Sequence, residues 1–176
     1  MFHKILALGL PVLVAACASS PATTSVAVPE TLRPAAGEAP VAVLAAKGVQ
    51  IYECRAKKDQ PAAVEWAFVA PEAELFDRQG KLVGKHYAGP HWESNDGSKI
   101  VGSVKARADA PQAGAIPWLL LATTSAGPGG AFSKTTSIQR VATVGGVAPS
   151  DGCTTATIGK TARVGYTADY VFFAQK

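Results

Sequence analysis

The chain has 176 residues, 48% of them hydrophobic and 17% charged, with 17 basic against 13 acidic side chains and a formal net charge of +4. Such a length, less a leader, suits one domain with a real core. The charges alternate in sign, and so small a balance without a Lys/Arg run leaves no footprint for nucleic acid, and none for strong attraction to acidic lipid headgroups.

Met1 to Lys4 is a short, weakly basic start, and the twelve residues from Ile5 to Ala16 form an apolar run that ends at Cys17. A hydrocarbon core needs about 20 residues, so the run reads as the core of a signal peptide rather than as a membrane span. Val14-Ala15-Ala16-Cys17 resembles the bacterial lipobox, in which small residues precede a Cys that is diacylated and becomes the new N-terminus. Cys17 is therefore the expected lipidation site and the membrane the expected partner. Cleavage at an ordinary Ala-x-Ala-like site is the alternative. Ala18, where Asp would signal retention in the inner membrane, favours an outer-membrane lipoprotein on the periplasmic face of the envelope. Loss of residues 1–16 removes Lys4 and lowers the net charge from +4 to +3.

Ala18 to Pro40 is rich in Ala, Pro, Ser and Thr. It buries too little to offset the entropy of ordering, so residues 17–40 are expected to be the lipidated Cys and a tether. As a coil, its 23 residues would reach roughly 25–30 Å r.m.s.. Packing of the stretch from Pro29 onto the domain is the other reading. The folded domain is expected over 41–176.

With Cys17 lipidated, Cys54 and Cys153 remain as an even pair in an oxidising compartment, and a bridge between them is expected. It would close a loop of 98 intervening residues, for which chain entropy gives about 4–5 kcal/mol. Metal ligation and a free thiol are the other uses open to the pair, though no Cys-x-x-Cys and no nearby His accompanies either.

The domain reads as strands. Val41–Leu44 and Val49–Cys54 flank Lys47-Gly48 as a predicted first hairpin, with Gln50, Tyr52 and Cys54 on one face of the second strand. Val64–Val69 alternates with Val64, Trp66 and Phe68 inward, and Pro71 ends that strand or marks a sheet edge. Glu74–Phe76 and Lys81–Val83 flank an Asp-x-x-Gly turn, and His91-Trp92 and Lys99–Val101 flank Asn95-Asp96-Gly97-Ser98. Pro117 to Ala122 is an unbroken apolar run suited to the centre of a sheet. Thr135 to Val144 resumes as a strand between Gly-rich breaks, and Ala162 to Phe173 closes as a strand pair or one kinked strand. No ten-residue stretch has a helical period with caps. The fold class is thus all-β, an antiparallel sandwich or barrel of short strands and hairpins.

The densest chemistry lies between His86 and Gly102. His86, Tyr87, His91, Trp92, Glu93, Asn95 and Asp96 are the candidate ligand-binding residues, read as the aromatic-edged end of a hairpin. Trp92 there supplies a flat face for a glycan, a peptide or another small molecule, or else plugs the core as Trp66 and Trp118 are expected to do. His86 and His91 with Glu93 or Asp96 could form a three-ligand metal site. That requires Gly89-Pro90 to fold two histidines of opposite phase together, and the plainer reading has His86 satisfied in a turn, His91 exposed and no metal. Glu93 and Asp96 as paired carboxylates would suit glycoside chemistry, but Asp96 occupies a position where Asp bonds its own backbone. No nucleophile elbow or phosphate-cradling loop is present, so no catalytic residue and no cofactor is assigned.

Lys47–Cys54, Phe68–Ala73, His86–Pro90 with Trp92-Glu93, Asp96–Ser98, Ile116–Leu120, Ile138–Val141 and Gly152-Cys153 together resemble a secreted bacterial and fungal family, domain of unknown function 3455. The likeness runs from about Pro40 to Phe173. The family has no assigned activity, so the resemblance implies no reaction, but it does imply that Cys54 and Cys153 are shared and bridged. Two departures stand out: His91 where Thr is expected, and Thr154 after Cys153 where Asp is usual. The expected role is that of an envelope β-domain, holding a small ligand or serving as an interaction protein for an envelope partner.

Overall fold

A computed structural model describes residues 27–176, so the predicted signal peptide, Cys17 and the first part of the tether lie outside the described residues. Eight strands follow in chain order: β1 (Glu38–Lys57), β2 (Gln60–Phe76), β3 (Leu82–Tyr87), β4 (His91–Ser94), β5 (Lys99–Ala108), β6 (Trp118–Ser125), β7 (Ser137–Gly145) and β8 (Thr161–Gln175). Each is antiparallel to the next, and β8 returns to pair with β1 from Glu38↔Gln175 to Glu53↔Thr161. The chain is therefore a closed up-and-down barrel. Two single-turn 3-10 helices, Glu30–Leu32 and Thr155–Thr157, complete the described elements.

One end, the mouth, carries the β1–β2 and β3–β4 turns and the loops 109–117 and 146–160. The other, the base, carries the β2–β3 and β4–β5 turns and the loop 126–136. Alternation puts Leu44, Leu75, Trp92, Ile100, Leu121, Ile138, Tyr170 and Phe172 into the bore, where they form the main core. A second cluster lies outside the ring: Leu32, fully buried, and Val28 pack on Trp118, Leu120 and Val141, and Gln139 Nε2 donates to Leu32 O at 2.5 Å. This explains the unbroken apolar run of β6, since Leu119 and Leu121 face the bore while Trp118 and Leu120 face the N-terminal segment. The outer wall bears ion pairs such as Arg163 with Glu72 (2.7 Å) and Lys85 with Glu93 (3.1 Å). Charges outside and aromatic rings inside reverse the order found in barrels that face lipid. No described helix is long and apolar enough to cross a membrane.

Several sequence expectations need correction. Lys47-Gly48 is not a turn: β1 runs through it as one strand of 20 residues, and Gly48 is there because a Cβ would stand 2.1 Å from the Glu72 carbonyl oxygen. Three of the strands are long rather than short, with β2 at 17 residues and β8 at 15. Pro71 does not end β2; it lies on a local edge, the other of the two expectations. It pairs with Gln50 beyond the reach of β3, which meets β2 only over Ala73–Phe76, so no β2–β3 bond needs its missing donor. A register shift beside Phe68 breaks the expected inward face: Phe68 is 52% exposed, and Trp66 lies against the 146–160 loop, donating to Asp151 O at 2.6 Å. Trp118 is buried, but in the outer cluster. The body begins before Val41, because Val28 to Leu32 packs on the wall and β1 starts at Glu38. The hairpins β2–β3 and β4–β5 form where their turn residues place them, and the last segment is one strand.

Candidate functional site: the mouth of the barrel

The β3–β4 hairpin pairs His86 with Trp92 and Tyr87 with His91, and neighbouring pairs along a ribbon face opposite sides. His86 and Trp92 point into the bore, their rings stacked 4.2 Å apart. Tyr170 stands edge-on to both at 5.1 and 5.5 Å. Gly102 makes room for this wall, since a Cβ there would lie 2.7 Å from the Trp92 ring.

His86 Nδ1 lies 2.8 Å from His91 O. A carbonyl only accepts, so Nδ1 carries the proton and Nε2 is left as an acceptor. Burial pushes the His86 imidazole down to about 3, with the Arg140 and His91 charges adding to the shift and the bond to His91 opposing it. The ring is neutral at pH 7. Burial likewise pushes the Tyr166 and Tyr170 phenols up, and the positive charge of Arg140 works against both shifts.

Beside this aromatic wall is a cavity of about 380 Å³, lined also by Gln50, Leu119, Leu121 and Arg140 and rimmed by Phe68, Val69, Pro71, Gly89, Pro90 and Val104. Arg140 donates from Nε and Nη2 to Pro117 O at 3.1 and 2.8 Å. Among the described residues it has no carboxylate partner, and the lining contains no Asp or Glu. Gln50 Nε2 and Trp92 Nε1 are buried without a hydrogen-bond partner, though the Gln50 amide stands close enough to Tyr166 to bias its hydroxyl. An unmade bond at a buried donor costs about 1–3 kcal/mol, and both residues are among those lining the one cavity. Trp118 Nε1, in the outer cluster, is also unpartnered, and nothing in the structure explains it.

The seven residues expected at one tip are thus divided three ways. His86 and Trp92 line the bore, and Trp92, only 1% exposed, is no surface platform for a sugar or a peptide strand. Tyr87, His91 and Glu93 lie outside: Tyr87 Oη donates to Glu93 Oε2 at 2.6 Å, which pushes the phenol up to about 12. The His91 ring stacks on Tyr87 at 5.3 Å, with Nδ1 2.7 Å from Ala88 O. Asn95 and Asp96 are at the base. Asn95 Nδ2 donates to Leu82 O at 2.8 Å. Asp96 accepts the Ser98 hydroxyl at 2.6 Å, Ser98 N–H at 2.9 Å and Ala131 N–H at 2.8 Å, bonds that hold its carboxyl well below the usual range. His86 and His91 do not meet, because the strand alternation that a metal site would have needed Gly89-Pro90 to overcome persists through the hairpin. Among the described residues no three His, Cys, Asp or Glu side chains gather as a metal site would need.

Cys54 and Cys153 are bridged, with Cα atoms 5.3 Å apart, tying the end of β1 to the mouth loop 146–160. Thr154 stands at the start of the 155–157 turn, its N–H donating to Thr157 Oγ1 at 2.8 Å.

Sequence reasoning missed Gln50, Arg140 and Tyr170. The available signal was phase: Arg140 shares its face with Ile138, and Gln50 shares one with Leu44 and Ala46 once β1 is read as a single strand.

The chain is one of the small eight-stranded up-and-down barrels, whose bore is just wide enough to be filled by side chains or to hold one small ligand. It belongs to the family described as protein of unknown function DUF3455, whose model matches residues 34–174, from just before β1 to the end of β8. No curated protein and no solved structure matches the chain.

Proposed function

We propose that this barrel holds one small, largely apolar molecule at its mouth, and does so from a lipid on Cys17 at the periplasmic face of the outer membrane. The observation that carries the first half is the pair of buried, unpartnered donors, Gln50 Nε2 and Trp92 Nε1, on one cavity. Its 380 Å³ falls within the range of roughly 300–1,000 Å³ usual for small-molecule sites. Val104, 59% exposed on the rim, offers a way to block entry without disturbing the core. Calorimetric titration with small molecules that join an apolar body to a carbonyl or carboxyl group should give saturable binding to the wild type and little to Val104→Trp. Absence of binding across the panel, or equal binding to the blocked form, contradicts the reading.

The second half rests on Val14-Ala15-Ala16-Cys17. With Val28 already packed on the barrel, residues 18–27 are the span left to separate barrel from lipid, and a coil of that length reaches about 17 Å r.m.s.. Cys17→Ser should move the protein from the membrane fraction to the soluble one, and retention in the membrane contradicts the anchor.

The rim supports a second reading. Phe68, Val69 and Val104 are 52%, 50% and 59% exposed around the mouth, an apolar collar on which an envelope protein could dock. One crosslinked partner recurring through a probe at position 104, in a chain that binds no small molecule, favours it.

A further inference from the structure

We propose that the molecule held at the mouth is a small monocarboxylate with an apolar body, its carboxylate neutralising Arg140 and its body lying among Phe68, Val69, Val104 and Leu119. This rests on the small-ligand reading above.

The charge inventory comes first. Arg140 is the one cation among the residues lining the cavity, and there is no Asp or Glu among them. Its hydrogen bonds run to the neutral Pro117 carbonyl, and the Tyr170 hydroxyl is also within its reach. A guanidinium has five N–H donors, which leaves some for a ligand. A half-buried guanidinium without a counter-charge lacks the compensation that such groups usually find. Its field nonetheless reaches across the bore, where it opposes protonation of His86 and favours ionisation of Tyr166 and Tyr170.

The hydrogen-bonding inventory points the same way. The unused groups at the cavity are chiefly donors: Gln50 Nε2, Trp92 Nε1 and the remaining Arg140 N–H groups. A carboxylate is acceptor-only, with room for about four such bonds. A second negative charge would find no second cation, which disfavours dicarboxylates and phosphate monoesters. An ammonium would meet Arg140 with its own sign. The remaining walls, Leu119, Leu121, Phe68 and Val104, suit an aliphatic or aromatic body.

The test uses matched probes on the disulfide-bonded mature chain at pH 7: octanoate against octanamide, and 3-phenylpropanoate against 3-phenylpropanamide, by calorimetry. Each acid should bind roughly tenfold to a hundredfold more tightly than its amide, as charge-assisted bonds exceed neutral ones. Arg140→Gln should abolish the preference, bringing each acid to the affinity of its amide. Equal binding of acid and amide by the wild type overturns the carboxylate and leaves the small-ligand reading standing. Binding of neither member of either pair, in a chain that also binds nothing else in the wider panel, removes both. An acid preference that survives in folded Arg140→Gln overturns the role of Arg140. Should that variant fail to fold for want of its bond to Pro117, the acid-to-amide ratio of the wild type decides.

Discussion

The two ends of the barrel are built from the same eight strands and treat polar atoms in opposite ways. At the base, Asp96 clasps Ser98 and Ala131, Phe132 N–H donates to Ser98 Oγ at 3.0 Å, and the Phe132 ring closes on Phe172 at 4.8 Å. Every group in that clasp has a partner. At the mouth, two buried donors have none and one cation has no counter-charge. Buried polar groups in a finished core are satisfied. The base is therefore closed by its own hydrogen bonds, whereas among the described residues the mouth leaves buried donors and a cation unanswered.

The contrast can be broken in order of effect. Replacing Cys54 and Cys153 together by Ala should cost about 4–5 kcal/mol in urea unfolding, because the bridge closes so long a loop. A cost under about 1 kcal/mol would mean that Cys54 N–H to Lys160 O and Gly159 N–H to Cys54 O, both 2.8 Å, hold the mouth loop unaided. Phe132→Ala at the base, 6% exposed in the native fold, should cost about 3–5 kcal/mol as a core truncation. Little change in melting temperature would show that the loop 126–136 is not the plug it looks to be.

Acid acts at the mouth. Unfolded His86 takes up a proton near pH 6.5, whereas the folded ring, depressed to about 3, does not until far lower. The stability tied to its neutral form is thus complete above pH 6.5 and is lost as pH falls toward 3. By pH 5 the loss should be about 2 kcal/mol, before the carboxylates begin to titrate. His86→Phe should flatten the unfolding free energy between pH 7 and 5, and an unchanged slope would assign the effect elsewhere.

The smallest effect separates the ends most cleanly. Ser98→Ala should lose about 1–3 kcal/mol, since it strips Phe132 N–H of its acceptor, whereas Gln50→Leu should be neutral or gain about 1 kcal/mol while losing the ligand. Matched losses in the two variants would mean that Gln50 is satisfied within the protein.

The base was legible in the sequence and the mouth was not. Asp77 to Gly80 and Asn95 to Ser98 announce their turns because turn chemistry is local. The disulfide followed once Cys17 was set aside as the expected lipidation site, which left Cys54 and Cys153 as a pair. Closure of the ring depends on β1 meeting β8 across the whole chain, and no local pattern encodes that. Lys47-Gly48 misled because a glycine needed for close approach to β2 has the same letter as one needed for a turn. Gln50 stayed hidden because a turn read at Lys47-Gly48 cut it off from Leu44 and Ala46, whose face it shares, and Arg140 and Tyr170 because a charged and a phenolic side chain do not announce a place in the bore. His86 and Trp92 were singled out for their chemistry, but their company was misjudged, since Tyr87, His91 and Glu93 face the other way.

The claim that the mouth awaits a ligand is tested most directly by the three indole N–H resonances in an ¹⁵N–¹H spectrum during titration with octanoate. Trp92 Nε1–H should shift to a saturable end point, while Trp66, bonded to Asp151 O, and Trp118, in the outer cluster, stay in place. A Trp92 resonance that does not move at any octanoate concentration, or three that move together, would contradict it.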